Sequence, residues 1–334
     1  MASTMMAQVF VRGRTAPRKQ LSVSSVSQYL KPFFVSRQDN CLRRDLLQSN
    51  LLHWQPIRKF SVATNKKILL ITGGNTGIGL EALKALCQSQ TAYEILLGCR
   101  TISKGENAIA ELKKQFPNTA STLSTIQVDL ESDESLEKAV SEVSAKYGVL
   151  DILVNNGGAS FDNDITAGKM SMRQAFNKTW DINVTGTHIL TTLAAPLLIK
   201  SSDARLIFLA SGTSTLTETE RSDTPGLHML NASPPAGWPK QAIGLNTTTY
   251  RSSKTGLNMI MREWHRTLLN DGVKVWAVSP GFLATGLSGV GAEKLKQIGA
   301  GDPALGGTFI RDVIEGKRDQ DKGKVIRRDM VQPW

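Results

Sequence analysis

The chain has 334 residues and a net charge of +11. Residues 1–60 carry ten Lys and Arg against only Asp39 and Asp45, which leaves the rest of the chain a net charge of only +3. A near-neutral body has no electrostatic footprint for a phosphate backbone, so no nucleic-acid partner is expected. No apolar run approaches the ~20 residues that span a bilayer, and Cys41, Cys87 and Cys99 have neither paired nor metal-ligand spacing.

The first 60 residues are rich in Arg and Ser, with no acid before Asp39. That is the composition of a transit peptide. The segment Arg58-Lys59-Phe60-Ser61 resembles a mitochondrial processing pattern cut ahead of Ser61. The expectation is a leader over 1–60, delivery to the mitochondrial matrix and a folded domain over 61–334. A disordered tail on a cytoplasmic protein is the alternative.

From Lys66 onward the chain alternates. Short apolar runs of parallel-strand type lie at 68–72, 94–99, 125–128, 151–154, 206–210 and 274–278. Helical patterns fall at 79–89, 103–116, 132–147 and 250–270. This order predicts an α/β domain, a single doubly wound parallel sheet with helices on both faces. Ligands of such sheets bind at the carboxyl ends of the strands.

The residues after each strand therefore carry the functional reading. After the first run stands Thr72-Gly73-Gly74-Asn75-Thr76-Gly77-Ile78-Gly79, a turn that aims free N–H groups at an anion. Gly73 permits the tight turn, Gly77 lets a pyrophosphate approach, and Gly79 lets helix and strand pack closely. After the second run comes Arg100, where an NAD site places a carboxylate for the ribose 2′-hydroxyl. A guanidinium suits a 2′-phosphate instead, so the expected cofactor is NADP(H). Asp129-Leu130 after the third run suits adenine. Asn155-Asn156-Gly157-Gly158 after the fourth either steadies the sheet or admits the adenosine, with Asn156 and Gly157 the candidate contacts.

Chemistry lies further along, at Asn183, Ser211, Tyr250 and Lys254. Tyr250 and Lys254 are an i, i+4 pair on one helix face. An ammonium beside a phenol lowers its ordinary pKa of ~10. Ser211 closes the fifth run, and Pro280-Gly281 with Thr285 closes the sixth.

These motifs together resemble the short-chain dehydrogenase/reductase family across 66–334, in its carbonyl-reductase-like and fungal members. The resemblance implies a Rossmann fold, with Tyr250 as general acid of carbonyl reduction and Ser211 holding the substrate oxygen. Lys254 would bind the nicotinamide ribose and lower the Tyr250 pKa, while Asn183 would hold a water in a proton relay. Gly73, Asn75, Thr76, Gly77, Ile78, Gly79, Arg100, Asp129, Leu130, Asn156, Gly157, Tyr250, Lys254, Pro280, Gly281 and Thr285 would contact the cofactor. A homo-oligomer, dimer or tetramer, is also implied.

Two departures stand out. Gly157 replaces a common alanine, a change expected to be harmless. Between Ser211 and Tyr250 lie 38 residues, where most relatives have about a dozen. This extended loop insertion is either a lid or a contact surface. Ser214 competes with Ser211 for the catalytic position, and strand-end placement favours Ser211. His188, His228 and His265 are expected to be structural or exposed, and no metal site is expected. The leading functional reading is NADPH-dependent reduction of a lipophilic ketone or aldehyde, for example in secondary metabolism. Oxidation of a hydroxylated lipid or small alcohol with NADP+, or a non-catalytic NADP(H)-binding scaffold, are the alternatives.

Overall fold

The computed structural model describes residues 66–240 and 247–334. The leader and its processing pattern lie outside the described residues. In chain order the elements are β1 Lys67–Thr72, α1 Gly77–Cys87, β2 Tyr93–Cys99, α2 Ile102–Gln115, β3 Thr122–Gln127, α3 Asp133–Tyr147 and β4 Ile152–Asn155. Then follow α4 Asp162–Thr166, α5 Met172–Trp180, a π-helical turn Asp181–Gly186, α6 Thr187–Leu198, β5 Arg205–Leu209, α7 Pro225–Asn231 and α8 Thr248–Leu268. The chain closes with β6 Lys274–Val278, α9 Ala292–Gln297, α10 Pro303–Ile314 and β7 Val325–Ile326.

The sheet is parallel throughout, in the order β3-β2-β1-β4-β5-β6-β7. The order reverses between β1 and β4, which opens a crevice at their carboxyl ends. Both faces are covered over the central strands, so residues of β4 and β5 are buried whichever way they point. Leu70, Leu153, Phe208 and Val275 pack with α3, α6 and α8, while Ile71, Val154, Ile207 and Trp276 pack with α1 and α10. Each fully buried Leu or Ile stabilises the fold by about 1.5–3 kcal/mol.

The third strand starts three residues ahead of the predicted run. It is an edge strand, and its polar Thr122 and Ser124 interrupt the apolar pattern without facing a covering layer on both sides. The insertion folds as two 3-10 turns and the short helix α7. Its residues 241–246 lie outside the described residues.

Candidate active site at the carboxyl edge of the sheet

The turn between β1 and α1 is held from the neighbouring strand. Asn156 Nδ2 donates to the carbonyls of Thr72 and Gly73 at 2.8 and 3.2 Å, and the Gly157 N–H donates to Thr72 Oγ1 at 2.8 Å. Gly73 has φ +63°, a left-handed conformation that favours glycine. A methyl on Gly79 would lie 2.4 Å from the Gly73 carbonyl oxygen, so only glycine lets α1 start this close to the strand. A methyl on Gly77, by contrast, would meet only Thr285, at 3.8 Å. The cradle is thus open on the side where Thr285 stands.

This cradle fits a pyrophosphate. Thr76, the N-cap of α1, makes no side-chain cap bond, and the first turn holds no acid. Uncapped N–H groups and the positive end of the helix dipole remain for an anion. Gly157 is tighter than its expected exchange for alanine implied. A methyl there would lie 3.0 Å from Leu130 Cδ1 and 3.1 Å from Thr72 Oγ1, so an alanine would need its neighbours to shift.

Arg100 follows β2 with its side chain 68% exposed and its Nη1 3.6 Å from Glu131 Oε2. An exposed pair at that distance is weak and easily exchanged for a phosphate. Asp129 spends one carboxylate oxygen on the Glu131 N–H at 3.2 Å, closing its own turn.

Tyr250 lies in the first turn of α8, and Lys254, 4% exposed, stands one turn on. Lys254 Nζ is 5.8 Å from the Tyr250 ring centroid and donates to the Leu209 carbonyl at 2.7 Å. Burial lowers the Lys254 pKa to about 8. Burial likewise raises the Tyr250 phenol, and the Ser211 hydroxyl beside it offsets part of that rise. The net direction for Tyr250 is thus upward, with burial the larger influence and the Ser211 hydroxyl the opposing one.

Ser211 follows β5 in an extended conformation, its Oγ 2.9 Å from Thr213 Oγ1. Ser214 has no exposed surface; its hydroxyl donates to the Ser211 carbonyl at 2.6 Å and accepts from Asn258 Nδ2 at 3.0 Å. Its hydroxyl is committed to the protein interior, whereas that of Ser211 faces Tyr250. Asn183 sits in the π-helical turn, fully buried. Its Nδ2 donates to the Ala159 carbonyl and to Ser253 Oγ, each at 2.9 Å, and its Oδ1 accepts from the Ala159 N–H at 2.8 Å. A methyl on Gly158 would touch both Asn183 Oδ1, at 3.0 Å, and Lys254 Nζ, at 3.3 Å, so both polar atoms border one small space.

Three supports escaped the sequence reading. Gln332, 3% exposed, donates from Nε2 to the Ser211 carbonyl at 3.1 Å and accepts from Arg327 Nε at 3.0 Å. Arg327 in turn pairs with the buried Glu218. The C-terminal tail therefore braces the backbone of Ser211. Arg251 donates to the carbonyls of Thr213 and Leu230 at 3.2 and 3.0 Å and to Asn231 Oδ1 at 2.9 Å, fastening α7 to the helix that carries Tyr250. No local pattern marks these residues, since apart from the Arg327–Gln332 bond their partners lie 20 to 121 positions away.

His188 accepts the Trp264 indole N–H at 3.1 Å, a structural pairing. Among the described residues no group of His, Cys, Asp or Glu is arranged to hold a metal, and no helix is long and apolar enough to cross a membrane.

A nucleotide cradle at the sheet's switch point, with Tyr, Lys, Ser and Asn converging beside it, defines a class of oxidoreductase. The chain belongs to the short-chain dehydrogenase/reductase family, and acts on CH–OH/C=O groups. Residues 67–222 match the short chain dehydrogenase family model. The short-chain dehydrogenase/reductase eupG of Phoma sp is 47% identical over 278 residues, 80% of this chain and 98% of that one. The short-chain dehydrogenase/reductase tropE of Talaromyces stipitatus is 44% identical over 82% and 100%. Among solved structures, an NADPH-bound carbonyl reductase from chicken fatty liver superposes with a TM-score of 0.62 at 21% identity, covering 81% of this chain and 100% of that one. At that identity the likeness shows the fold alone.

Proposed function

We propose that this chain reduces a ketone or aldehyde to an alcohol with NADPH. The observation that carries the reading is the meeting of Tyr250, Ser211, Lys254 and Asn183 beside the open cradle of Gly73–Gly79. When bound, the nicotinamide cofactor supplies the hydride. Everything else falls to the chain. Ser211 holds the carbonyl oxygen by its hydroxyl, and Tyr250 donates the proton that the oxygen takes up as the alcohol forms. The raised phenol keeps that proton in place at neutral pH. Lys254 spends one of its three N–H donors on Leu209, leaving two for ribose hydroxyls. The free lone pair of Asn183 Oδ1 is the place for a relay water, next to Lys254.

Arg100 supports NADPH over NADH, because no carboxylate stands at the end of β2 to receive a ribose 2′-hydroxyl. Exposed Leu216, Phe282 and Leu287 on the loops after β5 and β6 favour an apolar substrate. The test is a turnover screen of NADPH and NADH against a panel of lipophilic carbonyl compounds. Arg100→Asp should weaken NADPH binding by about 1.5–3 kcal/mol and leave NADH nearly unchanged. Wild-type preference for NADH in equilibrium binding would reject the assignment.

A further inference from the structure

The helix that carries Tyr250 does not cap itself. Thr247, its N-cap residue, makes no side-chain cap bond, and its Oγ1 is buried with no partner among the described residues. The cap comes instead from Asp162, the first residue of α4, which is 3% exposed. Asp162 Oδ1 accepts the Thr249 N–H at 2.9 Å, and Oδ2 accepts the Tyr250 N–H at 3.1 Å and the Thr249 hydroxyl at 2.8 Å. The Ser160 hydroxyl completes the set on Oδ2 at 3.1 Å.

A buried carboxylate is costly unless its lone pairs are filled, and here the N–H groups and positive dipole end of α8 fill them. A Ser, Thr or Asp at position 247 with local geometry would satisfy the same helix end. The distant carboxylate adds something a local cap cannot. It ties the backbone of Tyr250 to the loop after β4, and the same loop is clamped at Ala159 by both ends of the Asn183 side chain. One short stretch, 159–162, therefore ties Asn183 to the Tyr250 backbone, in addition to the direct bond from Asn183 to Ser253 of α8.

We propose that Asp162 is a positioning residue for the reaction: by holding the Tyr250 N–H it fixes where the phenol stands against Ser211 and Lys254. The proposal rests on the reading of Tyr250 as the proton donor. Asp162→Asn is the sharpest probe, since it keeps the volume and turns one acceptor into a donor, so one of the two backbone N–H groups loses its partner in either amide orientation.

Wild type, Asp162→Asn and Tyr250→Phe are compared on any carbonyl that the panel shows to be reduced. In Asp162→Asn, kcat should fall about 100-fold, the effect of a misplacement near 1 Å, while NADPH affinity and the carbonyl KM stay as in wild type. Unchanged kcat in the folded variant overturns the proposal, and so does a parallel loss of kcat and NADPH affinity, which marks a general structural role. Full turnover in Tyr250→Phe would instead reject the reading of Tyr250. Amide hydrogen exchange provides a substrate-free measurement. One of the Thr249 and Tyr250 amides should exchange faster in Asp162→Asn while the later turns of α8 keep their protection, and unchanged protection of both amides also overturns the proposal.

Discussion

Tyr250 and Lys254 are one turn apart, and burial acts on them in opposite directions. It raises the phenol and lowers the ammonium to about 8. The sign of the pH dependence follows directly. Below about pH 8 both groups are protonated, so the donor proton and the adjacent positive charge are in place. Above it Lys254 loses its charge while Tyr250 keeps its proton. The expected profile of kcat/KM for carbonyl reduction is flat at neutral pH and falls as pH rises through about 8, since this ratio reports the free enzyme. A profile flat to pH 10 would show that Lys254 does not titrate there. Tyr250→Phe should lower kcat by about 100- to 10,000-fold with NADPH affinity retained, because only the proton donor is removed. Activity within a few-fold of wild type in steady-state assays would reject that role.

At the scale of elements, the insertion between Ser211 and Tyr250 must leave and return at the carboxyl edge, where β5 ends and α8 begins. Arg251 clasps α7 against α8, so the first part of the insertion is tied to the catalytic helix, whereas Trp238 stands 87% exposed. An anchored base with an exposed aromatic suits a lid. Shortening the segment 227–238 should then raise KM or lower kcat for bulky apolar carbonyls while sparing NADPH binding. The comparison to make is steady-state kinetics over a size series of ketones, with native mass measured in parallel. Unchanged kinetics with an altered mass would assign the insertion to a contact between copies instead.

Across the whole described molecule, the edge of the sheet opposite the site is fastened by charge. Asp203 bonds Lys67 of β1 and Lys274 of β6 at 2.5 and 2.8 Å, and the buried Arg205 of β5 bonds Asp319 at 2.6 Å. Burial pushes Asp203 up, but the hydrogen bonds of Lys274 and Lys67 and the charge of Arg205 outweigh it and hold the carboxyl well below its usual range. Asp319 is held down in the same way by Arg205 and Lys274. A depressed carboxylate contributes stability above its unfolded pKa of ~3.9, and that stability is lost as pH falls toward the folded value. Asp203→Ala should cost about 2 kcal/mol at pH 7, with the gap to wild type narrowing as pH falls below ~4. Denaturant melts at several pH values measure this, and a gap that is constant with pH would show that packing, not charge, is responsible.

The β-α alternation, the glycine turn at Thr72–Gly79 and the spacing of Tyr250 and Lys254 were legible in the residues themselves. Their signals are local, because apolar period, positive φ and i, i+4 geometry are properties of a few consecutive positions. The six predicted strands and four predicted helices lie within a few residues of those observed, and the edge strand β3 is displaced because its polar residues interrupt the run. What the chain could not disclose alone depends on partners far apart in sequence. Strand-end placement already favoured Ser211 over Ser214, but that the Ser214 hydroxyl is buried against Asn258 was visible only in the structure. The balance that raises the Tyr250 pKa depends on burial that only packing creates. The bracing of Ser211 by Gln332, the clasp of α7 by Arg251 and the capping of α8 by Asp162 arise where the sheet brings strand ends together. Tertiary structure decided these because a hydrogen bond reads distance in space, and separation along the chain carries almost no information about it.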